Sequence, residues 1–447
     1  MKHGFPKFLK YLIVYALLVM LGIGMLFLSG LAPQDQVEKN YLLSMDELEP
    51  EYAGHHILRY DWGAYALDDW TEVIILSLST YMDVKDNPSS VMTNAYPLED
   101  DFTLESARAS VENHEPADVF YVRYWHGFRI YVRALLSVMD YGTMRTMMMW
   151  TFFLLMAAVT VMLTLQTRSI WPPMFFTAAI LFVNPVVASA LFQYSSCFVI
   201  AFIGMLLVPS WLKKPERAMM GFMILGMATM FFDFYTAPLL TLGLPLLGWL
   251  ICLVYSKDPP PAKKMLTLSL KALGVWFSSY LSMWLVKLVL TSIFTNQDAF
   301  GTAWEATAVR LGIEKSPEYL YRYDKVEAIL SPFRHLFDWP MLVIFAVILL
   351  VAGVVLLLLR TNKKSYARGL VMLFVALLPI FWTLVATQPM IMHAHFQYRI
   401  LAVTMLGGMY FWLMSVNRSR LPDIKPVCLP EPAPSGATAL KADDSAD

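Results

Sequence analysis

Charged residues are scarce in this chain: Asp, Glu, Lys and Arg make up 15% of its 447 residues, while 57% are hydrophobic. A soluble domain of this length needs a polar coat that such a composition does not supply, so the chain is a membrane protein before any motif is consulted. Cysteine is scarcer still. Cys197, Cys252 and Cys428 fall in separate segments without metal-ligand spacing, which argues against a disulfide framework or a zinc site. There is no Gly-rich phosphate loop. No segment repeats at a fixed period, which counts against the commonest transporter architectures.

What the chain has in plenty is apolar runs of bilayer length. Windows near 9–31, 146–166, 171–190, 196–212, 218–233, 237–255, 265–291, 340–360, 369–388 and 399–416 predict about ten transmembrane helices in an all-α polytopic fold. The first run, Tyr11 to Leu31, is longer than a signal-peptide core and follows Lys2, Lys7 and Lys10, so an uncleaved anchor is expected. The pair of windows around "FVNPVVASALFQYSS", residues 182–196, is the weakest, because Asn184-Pro185 breaks one helix or ends it, and the span count runs from nine to eleven.

The net charge of −1 conceals a sorting of charge by position. Lys and Arg recur in alternate connections: Arg168, then Lys213, Lys214 and Arg217, then Lys257, Lys263 and Lys264, then Arg360, Lys363, Lys364 and Arg368. With Arg418 and Arg420 after the last run, this is the positive-inside pattern, and it predicts cytoplasmic termini on a cell membrane. The opposite side carries 20 acids against 7 Lys and Arg between residues 32 and 143. Six regions result: an N-terminus and first span (1–31), an acidic extracytoplasmic loop with amphipathic helices (32–145), spans two to seven (146–291), a second outer segment of short surface helices (292–339), spans eight to ten (340–416) and a disordered cytoplasmic tail (417–447).

Ionisable residues inside or beside spans are costly and mark candidate sites. Lys271 and Lys287 fall near span ends, where snorkelling accommodates them. Asp233 in "FFDFYTAPLL" stands at an outer helix end, where capping by Asp233 or Thr236 competes with substrate contact. In "MHAHFQYR", His393 and His395 offer a weak metal signal, and Arg399 lies on the side the positive-inside rule disfavours. In "RYDWGAYALDDWTEVI", helical spacing stacks Asp61, Asp68 and Glu72 with Asp69 beside them. Stacked like charges call for a cation or a raised pKa, so a divalent ion held by Asp68, Asp69 and Glu72 is the cofactor such a stripe would accept.

The cationic counterpart is "YVRYWHGFRIYVRALL", residues 121–136. Taken as one helix, Arg123, His126, Arg129 and Arg133 share an arc of about 120°, with the aromatic rings opposite. That pattern predicts an amphipathic helix lying in the outer interface with its cations free. Arginine forks for a phosphate and a carboxylate for a hydroxyl are what a lipid-phosphate chemistry requires, so Arg123, His126, Arg129, Asp233, His395 and Arg399 are candidate substrate-binding residues.

At "ALDDWTE" the chain resembles the GT-C class of multispanning glycosyltransferases, which carry an acidic motif and juxtamembrane helices in the first extracytoplasmic loop. The resemblance implies a polyprenyl-phosphate sugar donor, a cell-envelope acceptor, and Asp68 or Asp69 as the catalytic carboxylate. Membrane lipids are the remaining partners, and nucleic acid is not among them. Two other classes stay open: a transporter or flippase of a lipid-linked glycan, which needs charge near the midplane, and a non-catalytic envelope assembly protein, in which the acids are solvated surface.

Overall fold

The computed structural model describes residues 7–52, 67–97, 103–233, 236–311, 313, 325–359 and 363–416. Asp61 and the tail 417–447 lie outside the described residues. Among the described residues the chain is helical apart from one antiparallel pair, β1 (Ala95–Tyr96) and β2 (Val119–Phe120), with Ala95 opposite Phe120. The all-α membrane class expected from composition is what the helices form, and six are long and apolar enough to cross a bilayer: Phe8–Gly30, Tyr141–Thr167, Phe192–Lys213, Ala262–Phe294, Trp339–Leu356 and Lys363–Val385.

In chain order the helices are α1 (Lys7–Gly30), α2 (Gln34–Tyr52), α3 (Asp69–Thr80), α4 (Ser90–Thr93), α5 (Leu104–Glu112), α6 (Arg129–Leu136) and α7 (Tyr141–Thr167). The bundle continues with α8 (Trp171–Phe182), α9 (Pro185–Ala190), α10 (Phe192–Leu206), α11 (Val208–Lys213), α12 (Pro215–Phe232), α13 (Leu239–Val254) and α14 (Ala262–Phe294). It closes with α15 (Ala299–Arg310), α16 (Lys325–Leu336), α17 (Trp339–Leu358), α18 (Lys363–Val385), α19 (Thr387–Met392), α20 (Ala394–Gln397), a 3-10 turn at Tyr398–Ile400, and α21 (Leu401–Ser415). The window 171–190 is divided: Asn184 takes a left-handed φ of 54°, Pro185 opens α9, and Leu191 is extended, so a fresh helix starts at Phe192. That restart fixes where the first amides of α10 point.

Residues 67–97 and 103–140 are folded onto one end of the bundle, its loop end. Val37, Tyr41, Val73, Leu76, Leu104, Val132 and Leu136 from α2, α3, α5 and α6 share one buried core with Tyr141, Met144 and Phe192 of the bundle. Three of the helices here begin on a polar cap: Asp68 accepts from Thr71 N, Thr103 and Ser106 form a capping box, and Asp140 accepts from Thr143 N.

The arginine stretch departs from expectation. Only Arg129–Leu136 is helical, His126 has φ 51°, and both Arg129 and Arg133 are fully buried. Their arc faces inward. Arg133 donates to Ser79 O and Thr80 O at the end of α3, and to Gly30 O, Ala32 O and Gln34 Oε1 at and just after the end of α1. Cations are favoured at helix C-termini, where the last carbonyls have no helical partner, so Arg133 ties two helix ends together. Arg129 donates to Ser90 O and Val91 O in α4 and to His126 O. Burial and the neighbouring Arg133 lower its pKa to about 9, which leaves it charged at neutral pH. Lys287, expected to snorkel, is instead buried and donates to Met92 O at 2.6 Å.

Gly127 shows why this turn cannot be a regular helix. Its N–H donates to Phe231 O at 2.7 Å, and a Cβ there would stand 2.6 Å from that same oxygen. Gly127→Ala is therefore expected to lower stability by about 1–3 kcal/mol by pushing the turn off the end of α12. The thermal unfolding midpoint of detergent-solubilised protein measures this, and an unchanged midpoint would refute the close approach.

Candidate functional site

A cavity of about 950 Å³ opens at the loop end of the bundle, walled by residues from well-separated stretches of chain. Asp68 and Thr71 come from the start of α3, Arg123 from the turn after β2, Gln193 from the first turn of α10, Arg310 from the end of α15, and His395 from α20. Asp68, Arg123 and His395, three candidates drawn from segments far apart in sequence, thus meet on one cavity.

Asp68 is placed by its capping duty. Its carboxylate accepts from Thr71 N at 3.2 Å and Thr71 Oγ1 at 2.8 Å, and His395 Nε2 lies 3.6 Å from Asp68 Oδ2. Burial works to raise the Asp68 pKa, but His395 and the two Thr71 bonds outweigh it and hold the carboxyl below its ordinary value. Asp68 is therefore an ionised acceptor at neutral pH. His393, on the same wall, is pushed down to about 4 by burial, with His395 and Arg310 adding to the effect, so it is neutral.

Arg123 is held by a rigid turn. Asn94 Nδ2 donates to Tyr121 O and Tyr124 O, and Trp284 Nε1 of α14 donates to Arg123 O, so the backbone is tied on both sides. The guanidinium lies over the Tyr121 ring at 4.2 Å and near the Tyr124 ring at 5.6 Å. Arg310 lies 5.5 Å from the same Tyr124 ring and donates to its hydroxyl. Two guanidiniums thus flank one tyrosine at the cavity wall, a geometry suited to an oxyanion such as a phosphate. Sequence reasoning missed Arg310 as a site residue because it is one charge among many in a mixed-sign segment.

The remaining candidates lie elsewhere. Asp69 is not on the cavity wall; it is buried beside Arg145 with Nη2 to Oδ1 at 3.4 Å. Glu72 is fully buried and accepts from Tyr141 Oη, Phe192 N and Gln193 N at 2.6, 3.0 and 3.0 Å. Asp68, Asp69 and Glu72 are therefore separate carboxylates, each with its own partners. Among the described residues no group of three His, Cys, Asp or Glu side chains is placed to hold a metal ion. The divalent ion expected from the stripe does not fit this donor set.

His126 and Arg129, expected at a phosphate, are buried beneath the turn instead. Burial, Arg129, Lys287 and Arg123 hold the His126 pKa well below its usual value, and its ring packs 4.8 Å from Tyr121. It supports the tyrosine that carries Arg123. Asp233 closes α12 by accepting from Thr236 N and Thr236 Oγ1, the capping arrangement, away from the cavity. Arg399 is buried with its guanidinium 3.9 Å over the Tyr194 ring, and it donates to His395 O and Phe396 O. Its effect on the cavity passes through the backbone of His395.

A second cavity, of about 380 Å³ and apolar, lies between α7 and α10, lined by Met144, Met148, Phe192, Val199 and Ile203 among others. Phe192 and Gln193, adjacent at the start of α10, face one cavity each. No family model, curated protein or solved structure matches the chain.

Proposed function

We propose that the chain crosses a bacterial plasma membrane ten times with both termini in the cytoplasm, and that its polar cavity transfers a sugar from a polyprenyl-phosphate donor to a cell-envelope acceptor. The ten windows, the Lys and Arg of alternate connections and the acidic loop support this topology, and it puts the cavity on the outer face. The observation that carries the reaction is the convergence of Asp68, Arg123, Arg310 and His395 on one cavity.

In this reading Asp68 takes the proton of the acceptor hydroxyl as its oxygen attacks the anomeric carbon. The bond from that carbon to the phosphate oxygen breaks, and the phosphate leaves with the electron pair. Arg123 and Arg310 are the groups that meet the charge developing on it. His395 holds the Asp68 carboxylate in place and keeps it ionised. The apolar cavity beyond the first turn of α10 offers the lipid tail of such a donor an apolar berth.

Asp68→Asn is expected to lower kcat about a hundredfold or more, since general-base assistance of that size is lost. Arg123→Ala is expected to weaken donor binding at unchanged membrane insertion. Transfer of radiolabelled sugar by protein in lipid nanodiscs measures both. Full activity of Asp68→Asn at normal expression would remove the catalytic assignment and favour an assembly role for the acidic loop.

A further inference from the structure

We propose that Gln193, Gln388 and Trp70 form a subsite in this cavity for the ring of an uncharged pyranose, an inference that rests on the transferase reading above. The three line the same cavity as Asp68 and Arg123 but carry no charge, and they come from α10, α19 and α3.

Gln193 supplies the observation that calls for a ligand. Its side chain is 3% exposed, and among the described residues nothing hydrogen-bonds to its Oε1. A buried amide oxygen without a donor costs about 1–3 kcal/mol, so such a group is retained where something from the cavity meets it. The backbone beneath it is held in place, because the Gln193 main-chain N–H donates to Glu72 Oε1. Gln388, 5% exposed, brings a second amide to the same space. Primary amides both donate and accept, which is what a run of sugar hydroxyls requires.

Trp70 completes the set. It is the exposed residue of an otherwise buried helix, 48% accessible, and stands two positions from Asp68. A flat aromatic face fits the apolar C–H face of a pyranose, while the amides take the hydroxyls at its edge. Gln193, Gln388 and Trp70 give ring hydroxyls and the C–H face their partners but offer a charged substituent no ionic one, which fits an uncharged ring.

The test uses the full chain in nanodiscs and three probes: short-chain prenyl phosphate, prenyl phosphoglucose and prenyl phosphomannose. Binding is read by the tryptophan fluorescence of the protein, and transfer is read separately. At least one sugar-bearing probe should bind wild-type protein about tenfold more tightly than bare prenyl phosphate. Gln193→Ala should erase that gain while leaving affinity for bare prenyl phosphate unchanged. Trp70→Ala, with binding followed by calorimetry because the reporter is altered, should reduce it severalfold. Wherever transfer is seen, KM should rise in both variants with kcat little changed, opposite to Asp68→Asn. If neither sugar adds affinity in the wild type, or if both variants keep the full gain, the subsite is refuted. Sugar-dependent binding without transfer would instead reject the transferase reading and leave the subsite standing.

Discussion

Arg133→Ala is expected to abolish the packing of α3 and α6 against the bundle and with it the recovery of monodisperse protein. The guanidinium, with no exposure to solvent, serves four backbone carbonyls and one amide oxygen, and truncation removes that donor from all five at once, Thr80 O keeping Gln34 Nε2 and Gly30 O keeping the Val84 N–H. Charge-assisted bonds of this kind contribute about 1.5–3 kcal/mol each before non-additivity, so the loss reaches the range where single substitutions are exceptional. Arg133→Lys should rescue only part of it, because one ammonium cannot span the ends of two helices as a planar fork does. Size-exclusion profiles and unfolding midpoints in detergent give the answer. An Arg133→Ala protein with parental midpoint would show that the two helix ends are held by packing alone.

Glu72→Ala should be nearly as damaging. The carboxylate receives the first two amides of α10 together with the Tyr141 hydroxyl, and an alanine supplies no acceptor in its place. About 3 kcal/mol or more is at stake from the orphaned donors. Its titration gives a second signature. Burial dominates the hydrogen bonds and the nearby Arg145, and raises the Glu72 pKa from 4.5 to about 7. Below pH 4.5 the group is protonated in both the folded and the unfolded chain. Between pH 4.5 and 7 the unfolded chain releases its proton while the folded one keeps it, so Glu72's contribution declines as pH rises, by on the order of 3 kcal/mol, and is flat above. Glu72→Gln, which does not titrate, supplies the baseline. The stability difference between wild type and Glu72→Gln should shrink from pH 4.5 to 7, and a difference that grew or held constant over that window would refute the assignment.

The membrane class was legible because a water-soluble fold has no use for so many apolar runs of bilayer length, and the helices α1, α7, α14 and α18 follow their windows within a few residues. Asp68 stood out in the acidic stretch, Arg123 in the cationic one and His395 at the boundary of the last apolar run. The direction of the arginine arc was not. A helical wheel gives the relative bearing of Arg129 and Arg133, but both outward and inward packing satisfy it, and the carbonyls that select inward packing belong to α1, α3 and α4. The acid stripe failed for a related reason: α3 is buried nearly all round, so one stripe of it serves several different neighbours. Gln193 and Gln388 gave no signal at all, since a neutral amide at the edge of an apolar run looks like any helix start.

The core beneath α3 is completed by Tyr141, Met144 and Phe192, residues of the bundle's own helices. The loop region therefore has no floor of its own, and no cut between residues 140 and 141 yields a self-contained secreted module. A fragment spanning 32–140 would expose the apolar underside of α3 and α6 together with Glu72 stripped of its three donors. Grafting that fragment onto an unrelated anchor would carry over Asp68 and Arg123 but none of the His395, Gln193 and Arg310 sides of the cavity, so this architecture can be inherited or lost only as a whole.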